Sequence, residues 1–346
     1  MNLKLLKNIC ETPGAPGFEN KIRALVIKEI SSHVQELRTD NMGNIIALIK
    51  GKEQKSIMAS AHLDEIGFIV THIDDSGFIH FHTLGGFDPK TLTAQRVIIH
   101  GKKDIMGVMG SKPIHIMNPE EKTKAPKISD YFIDTGLSGE EVKKHIEIGC
   151  PITRERSLIS MGNNINCKSL DNRISVYILI EAIKKIKAPP YDFYAVFSVQ
   201  EEVGIRGAQV AAHQINPDFG LGIDTTIAYD VPGAKDEEMV TKLGKGVAIK
   251  VMDSSTICDH RMVSFLKGTA QKKKIPYQLE VLTAGGTDTA GIQRMGKHGS
   301  IAGAISIPTR HIHQVIEMVN KDDVEYAIEL LYNSVISMDT YKWSHN

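Results

Sequence analysis

Apolar residues in the first 66 positions follow two different spacings. Between residues 18 and 33 they recur at helical spacing, which predicts an amphipathic helix with one buried face. The apolar positions of this helix are Phe18, Ile22, Leu25, Val26 and Ile30. Residues 45–49 and 57–61 form short, largely apolar runs, which are typical of buried strands. The chain therefore begins as a mixture of helix and buried strand.

From about residue 67 to residue 160 the pattern changes to short β-like runs. They cover residues 67–73, 78–83, 95–100 and 104–109, and Asp-Ser-Gly, Gly-Gly and Gly-Lys-Lys-Asp turns separate them. No long helical pattern interrupts these runs. We therefore predict that residues 67–160 form a β-rich domain.

After residue 170 strand and helix patterns alternate to the end of the chain. Strands are predicted at 193–199, 219–223, 247–251, 277–282 and 299–305, and helices near 173–187, 206–213, 260–273 and 322–338. A further helix or turn is predicted after residue 288. This alternation indicates an α/β fold with a mixed, mostly parallel sheet flanked by helices. The β-rich segment would then be inserted into a discontinuous α/β domain made of residues 1–66 and 161–346.

Composition narrows the classes of protein that need to be considered. The 346 residues are enough for roughly two domains. The 41 basic and 41 acidic residues balance, so nothing favours binding to nucleic acid or to an anionic membrane. Four scattered cysteines predict reduced thiols, and the N-terminal residues lack the apolar core of a signal peptide. We therefore expect a cytoplasmic protein.

The adjacent carboxylates Glu201 and Glu202 directly follow an apolar run at residues 191–200. An unpaired carboxylate in an apolar site costs several kcal/mol or more, so the pair suggests a cation, a shared proton or solvent exposure. Neighbouring side chains on a strand point to opposite faces. Both glutamates can reach one site only if the chain turns there, and Gly204 and Gly207 permit such a turn.

Other residues with metal-binding side chains fall at predicted strand ends or at a helix start. They are His62, Asp64, Asp171, Asp224 and His313. Each alone has an ordinary explanation, because Asp171 could cap a helix, Asp224 could form a turn, and a single histidine could be a surface residue. Ligands of α/β sheets bind at the carboxyl ends of the strands. The coincidence of position therefore predicts a metal site.

The residue types restrict the metal. Imidazole and carboxylate without thiolate suit zinc, cobalt or manganese. Two histidines and three carboxylates exceed the needs of one open tetrahedral site, and they suit two ions roughly 3.5–4 Å apart that share a carboxylate. The remaining glutamate of the adjacent pair could then act as a general base. Asp64 could orient the imidazole of His62.

Taken together, these motifs resemble the M42 metallo-aminopeptidases, which include the glutamyl aminopeptidases and the tetrahedral TET aminopeptidases. The matching segments occur in the family's order and span nearly the whole chain. They are residues 12–19, 61–68 (AHLDEIGF), 170–173 (LDNR), 200–208 (QEEVGIRGA), 222–224 (GID), 285–288 (GGTD) and 310–313 (RHIH).

The resemblance implies a role for each site residue. His62, Asp171 and Asp224 would hold one metal ion. Asp171, Glu202 and His313 would hold the second, with Asp171 bridging the two. Glu201 would be the general base, and Asp64 would orient His62. The family also implies a zinc-peptidase type of fold, a PDZ-like dimerisation domain in the β-rich insertion, and dimers that assemble into a dodecamer.

The function that the resemblance implies is a two-metal aminopeptidase. It would remove N-terminal residues from peptides with a metal-bridging water that Glu201 activates. Zinc or cobalt, or else manganese, would occupy the site. Gly285, Gly286, Thr287 and Asp288 would line the substrate pocket, unless they form only a structural turn. A deacylase of N-acyl amino acids and a non-catalytic assembly protein are the alternatives.

The chain departs from the family pattern at two positions. Asn172 stands where many members have a second aspartate, which leaves the bridging residue unaffected. His311 stands where a tyrosine is common, two residues before the final ligand. Either His311 or His313 could therefore be that ligand, and alignment with the motif favours His313.

Overall fold

The structure is a computed structural model that describes residues 1–345. The strands are β1 (Glu36–Thr39), β2 (Ile45–Ile49), β3 (Glu53–His62), β4 (Gly67–Ile73), β5 (Ile79–Leu84), β6 (Arg96–His100), β7 (Asp104–Ser111), β8 (Tyr131–Asp134), β9 (Pro151–Arg154), β10 (Ile159–Met161), β11 (Asn164–Cys167), β12 (Tyr191–Ser198), β13 (Phe219–Ile227), β14 (Val247–Met252), β15 (Tyr277–Val281), β16 (Ile301–Arg310) and β17 (Glu317–Asn320). The helices are α1 (Leu3–Glu11), α2 (Asn20–Ile30), α3 (Pro119–Thr123), α4 (Gly139–His145), α5 (Leu170–Lys185), α6 (Arg206–Ile215), α7 (His260–Lys273), α8 (Asp288–Met295) and α9 (Lys321–Ile336).

An 11-stranded mixed sheet forms the centre of the larger domain, in the order β1-β2-β12-β3-β13-β16-β17-β11-β10. Strands β14 and β15 branch from β16. The four strands β12, β3, β13 and β16 run parallel to one another. The outer pairs β1–β2, β16–β17, β17–β11 and β11–β10 are antiparallel. Outside the central group, within residues 1–345, only β14 and β15 are parallel to each other, so the prediction of a mostly parallel sheet holds for the centre and for this branch but not for the edges.

Helices cover both faces of this sheet, which explains why its central strands are apolar along their length. On β12, Phe193 and Phe197 pack with α1, α2, α5, α7 and α9 in the main core. The intervening Val196 packs on the opposite face with Ala211 of α6 and Ile292 of α8. Alternate side chains of one strand thus fill two cores.

The β-rich segment folds as a separate closed barrel of six antiparallel strands, in the order β4-β5-β8-β7-β6-β9. All of them lie between residues 67 and 154, and Phe68, Val97 and Ile133 belong to a core of their own. This confirms the predicted separate β-rich unit. Strand β10, which straddles the predicted boundary at residue 160, pairs with β11 of the large sheet.

Cys10, Cys150, Cys167 and Cys258 are all free thiols. Within residues 1–345, none of the helices is both long and apolar enough to cross a membrane.

A buried ionic network joins the segment after β3 to the start of α5. Lys168 donates to the Glu65 carboxylate at 2.8 Å, and the Arg173 guanidinium lies 3.7 Å from the same group. Burial opposes ionisation of Glu65, but Lys168 and Arg173 keep its pKa below its usual value. Arg173 also donates to the carbonyls of Leu63, Ile9 and Thr12. The network fixes His62 and Asp171 relative to each other, because both residues lie on the segments it connects.

We predict that Lys168→Met destabilises the protein by about 3–5 kcal/mol, because it leaves the Glu65 charge buried without its main partner. The matched control is Lys185→Met, which removes an exposed pair with Glu329 and should cost less than about 1 kcal/mol. Chemical denaturation of both variants measures the difference. Equal losses of stability would show that the buried pair does not hold this part of the fold.

Candidate metal centre and active site

The central parallel strands bring the predicted site residues to one edge of the sheet. His62 is the last residue of β3, and Asp224 lies near the carboxyl end of β13. Glu201 and Glu202 follow β12, and His313 follows β16. Parallel strands present their carboxyl ends on the same side, so these residues converge although they are distant in sequence.

Asp171 approaches the same edge from α5. It lies at the start of this helix, where Asp171 and Asn172 both depart from helical backbone angles. Its backbone N–H donates to the Glu317 side chain, and its carboxylate faces the two histidines. Asp171 therefore does not serve as an ordinary helix cap.

His62 is surrounded by carboxylates on the side of its Nε2 atom. This nitrogen lies 3.4 Å from Asp171 Oδ1, 3.7 Å from Glu201 Oε2 and 3.8 Å from Asp224 Oδ1. His62 and Asp224 are both buried. Four side chains from four different segments of the chain thus meet around one point.

His313 forms a second group around the other oxygen of Asp171. Its Nε2 atom lies 3.4 Å from Asp171 Oδ2 and 3.3 Å from Glu202 Oε2. The two carboxylate oxygens of Asp171 therefore face two different imidazoles. Between the two candidate histidines, His313 and not His311 is the one whose ring meets these carboxylates.

Asp64 explains how two adjacent glutamates enter the same site. Its Oδ1 accepts a hydrogen bond from the backbone N–H of Glu201, and its Oδ2 accepts one from Glu202, both at 3.1 Å. Strand β12 has ended at Ser198, and Gln200 adopts a left-handed backbone with φ 55°. Gly204 continues the turn with φ 123°. The Asp64 carboxylate thus organises the turn that the sequence required.

Asp64 also contacts His62. The Nδ1 atom of His62 lies 3.0 Å from the backbone oxygen of Asp64 and 3.4 Å from its Oδ1. With Nδ1 held in this way, Nε2 is the ring nitrogen that faces the other carboxylates.

The site concentrates negative charge out of water. Burial, followed by the neighbouring carboxylates, raises the pKa of Glu201 and of Asp224 well above the usual range. Burial opposes protonation of His62, yet Glu201 and Asp171 raise its pKa well above normal. In the absence of a cation, protons must compensate these charges.

A divalent cation fits this arrangement of donors. His62, Asp171 and Glu202 each offer a ligand atom, and the three atoms lie within 4.8 Å of one another. Glu202 also has a buried Oε1 atom without a hydrogen-bond partner. Imidazole and carboxylate donors suit zinc, cobalt or manganese. A cation would therefore satisfy both the orphaned oxygen and the crowded charge.

The candidate ligands line a cleft of about 710 Å³. Gly285, Gly286 and Thr287 of the predicted substrate loop also line it. Asp288 is placed differently from the prediction. It is only 2% exposed and lies below the cleft, where it accepts a hydrogen bond from Ser60 at 2.6 Å and another from Ser198.

Sequence reasoning missed Glu317, which holds two of the candidate ligands through their backbones. Its Oε1 accepts from the N–H of His313 and its Oε2 from the N–H of Asp171, both at 2.9 Å. Burial and the charge of Asp171 raise the pKa of Glu317 to about 8. The available signal was a lone glutamate within the apolar run at residues 315–319.

Most of the chain is similar to known aminopeptidases. A family model described as M42 glutamyl aminopeptidase matches residues 43–330. A lysyl aminopeptidase from Pyrococcus furiosus is 34% identical, with 94% of each chain covered.

Two solved structures also match over nearly their whole length. An aminopeptidase from Desulfurococcus kamchatkensis has a TM-score of 0.94 at 36% identity, with 99% of this chain and 98% of that chain covered. A TET1 peptidase from Pyrococcus horikoshii, which can assemble into a tetrahedron or a large octahedral shell, has a TM-score of 0.86 at 29% identity, covering 96% and 99%.

We predict that Glu317→Gln weakens binding of Zn²⁺ by roughly 10–100-fold, the usual effect of losing a group that orients ligands. A glutamine presents an N–H where one of the two backbone N–H groups needs an acceptor. Competition with a chromophoric chelator measures the affinity, and the exposed Glu120→Gln is the matched control. Unchanged affinity in a folded Glu317 variant would remove Glu317 from the site.

Proposed function

The chain belongs to the M42 glutamyl aminopeptidase family, and from this premise we propose that it is a two-metal aminopeptidase that hydrolyses the first peptide bond of peptides. The observation that carries the proposal is the position of Asp171. Each of its carboxylate oxygens lies 3.4 Å from a different imidazole, as expected for a residue that bridges two ions.

The proposed ligands form two sets that share Asp171. His62 and Asp224 complete one set, and Glu202 and His313 complete the other. When bound, the ions would polarise the substrate carbonyl and lower the pKa of water at the site. Zinc or cobalt is proposed, and manganese has the same donor preference.

Glu201 is proposed as the general base and acid. Its carboxylate lies 3.7 Å from His62 Nε2, so it projects into the site rather than away from it. There it would take a proton from the attacking water and return it to the leaving amine. The hydrogen bond from the backbone N–H of Glu201 to Asp64 fixes the position of the Glu201 backbone, from which this side chain extends into the site. Asp64 is proposed to position the base as well as His62.

The proposed assembly of this chain follows that of a similar peptidase. The six-stranded barrel would be the PDZ-like dimerisation domain, and dimers would build a tetrahedral dodecamer, as the Pyrococcus horikoshii TET1 peptidase can form a tetrahedron. A zinc-peptidase type of α/β fold and a cytoplasmic location belong to the same proposal. Light scattering distinguishes dimer from dodecamer.

The alternatives predict different substrates. A dinuclear deacylase would hydrolyse N-acyl amino acids and spare peptides with a free amine. A non-catalytic assembly protein would hydrolyse neither and would gain no activity with Zn²⁺, Co²⁺ or Mn²⁺. Parallel assays therefore separate the three functions: aniline release from amino-acid anilides reports an aminopeptidase, and release of free amino acid from N-acyl amino acids reports a deacylase.

We predict that Glu201→Gln lowers kcat for amino-acid 4-nitroanilides by roughly 10²–10⁴-fold, the usual contribution of general acid–base catalysis. Its metal content and its fold should remain unchanged, because Glu201 is not a proposed ligand. The exposed Glu140→Gln should retain full activity, and Glu202→Gln should lose metal as well as activity. A Glu201 variant with wild-type kcat would refute the assigned role.

The affinity of the proposed site for metal ions should depend on pH. Burial opposes protonation of His313, but Glu202 and Asp171 raise its pKa to about 11. Against the same effect of burial, Glu201 and Asp171 likewise raise the pKa of His62. Protonation of these imidazoles therefore competes with metal binding, because the ligand nitrogen must lose its proton when it binds an ion. Metal affinity should rise as pH rises, with about one or more protons released per ion at pH 7.

Calorimetric titration of Zn²⁺ in buffers with different ionisation enthalpies measures this release. His311→Ala is the control, because burial lowers the pKa of His311 and that residue should release no proton. A binding enthalpy that does not depend on the buffer would contradict the proposed protonation of the site.

A further inference from the structure

The six-stranded barrel reaches the proposed metal centre through the side chain of Arg154. This residue is the last of β9, and its Nη1 atom donates to the backbone carbonyl of His313 at 3.0 Å. Strand β9 belongs to the barrel, whereas His313 follows β16 of the large sheet, so this hydrogen bond joins the two domains. A residue of the barrel therefore holds the backbone of a proposed metal ligand.

The surroundings of Arg154 are unusual for a cation. The residue is only 3% exposed, and its Nε atom has no hydrogen-bond partner. Its guanidinium carbon lies 5.6 Å from the centre of the Phe87 ring, and that ring stacks on Phe68 with the ring centres 4.5 Å apart. Burying an arginine costs free energy unless its partners compensate for the lost water. The barrel thus holds Arg154 in one orientation, with its Nη1 atom directed at His313.

The backbone of His313 adopts a conformation that needs support. Its φ of 64° lies in the left-handed region, which is unfavourable for residues other than glycine. Glu317 accepts from the N–H of His313 at 2.9 Å, while Arg154 donates to its carbonyl. Two buried side chains, one from β17 and one from the barrel, therefore hold both polar groups of this backbone. Because the ring extends from it, they set where His313 Nε2 meets Asp171 and Glu202.

The barrel packs against one of the two proposed ligand sets. Added Cβ atoms on the two glycines of segment 85–86, which follows β5, would lie 3.4 Å from His313 Nδ1 and 3.4 Å from Glu202 Cβ. Within residues 1–345, the side-chain hydrogen bonds and ion pairs of His62 and Asp224 all involve residues of the larger domain. The set that contains His313 is therefore the one that depends on the barrel.

We propose that Arg154 is a positioning residue for the second metal ion, the one assigned to Glu202 and His313. Its side chain is not a proposed ligand and acts through the backbone of His313. A group that orients a ligand in this way commonly controls how tightly the ion is held. The barrel is then a structural part of one half of the metal centre. The inference rests on the proposed two-metal aminopeptidase and names what orients one of its ligands.

The test compares the affinities of the two ions in the wild-type protein and in Arg154→Met. Methionine keeps an apolar side chain against Phe87 but donates nothing to the carbonyl of His313. We expect the ion beside His313 to bind roughly 10–100-fold more weakly, and the ion beside His62 to keep its affinity. Competition of Co²⁺ with a chromophoric chelator measures both affinities. Anomalous scattering at the cobalt edge, from crystals with limiting Co²⁺, shows which ion is lost.

Two matched variants separate positioning of His313 from simple docking of the two domains. Lys21→Met removes another contact between the domains, the ion pair of Lys21 with Asp104 at 3.2 Å, and should leave both affinities unchanged. Arg154→Lys retains a donor for the carbonyl, so it should lose less affinity for the ion beside His313 than Arg154→Met loses. An equal loss of both ions in Arg154→Met, or the same selective loss in Lys21→Met, would overturn the inference.

Failure of this inference is distinguishable from failure of the proposed function. A wild-type protein that binds fewer than two ions would count against the function, whereas unchanged affinities in a folded Arg154→Met would overturn the role of Arg154 alone. Circular dichroism establishes whether that variant folds. If it does not fold, Arg154→Lys decides the question, because it should lose affinity for the ion beside His313 and not for the other. No loss, or an equal loss of both ions, would then overturn the inference.

Discussion

The concentration of carboxylates in water-poor surroundings is the constraint on which this site depends. Asp171, Glu201, Glu202 and Asp224 converge on two imidazoles at one sheet edge. Their mutual repulsion and their burial make the ionised set unfavourable without positive charge. Protons or metal ions must supply that charge. The stability of the fold, its response to pH and the activity therefore all depend on which of the two is bound.

The scaffold holds these repelling groups in place through their backbones. Asp64 accepts from the N–H groups of Glu201 and Glu202, and Glu317 accepts from those of Asp171 and His313. Each of these acceptors thereby fixes two functional residues. Such positioning leaves the functional carboxylates free to bind an ion or to transfer a proton.

The sequence predicted the parts of the protein that depend on local pattern. The strand at 45–49 and the helix at 260–273 have the predicted bounds. Strand β1 was missed because it is short and its residues are mostly exposed, so no apolar period marks it. The convergence of His62 and Asp224 was predictable because both lie near the carboxyl ends of parallel strands, whereas Asp171 reaches the same edge from the start of α5.

Contacts between segments that are distant in the chain could not be predicted from the sequence. Asp64 and Glu201 are 137 residues apart, and nothing local indicates that one accepts from the other. Asp288 was expected at the cleft, but the hydroxyls of Ser60 and Ser198 hold it below. Glu317 carried a weak signal, a single charge within an apolar run, but its partners Asp171 and His313 became visible only in the folded chain.

The central claim is that Asp171 bridges two metal ions. Anomalous scattering from crystals of the Zn²⁺-loaded protein, collected at the zinc absorption edge, tests it directly. The account predicts two zinc peaks, one beside His62 and Asp224 and one beside Glu202 and His313, with Asp171 in contact with both. A single peak, or two peaks of which Asp171 touches at most one, would contradict it.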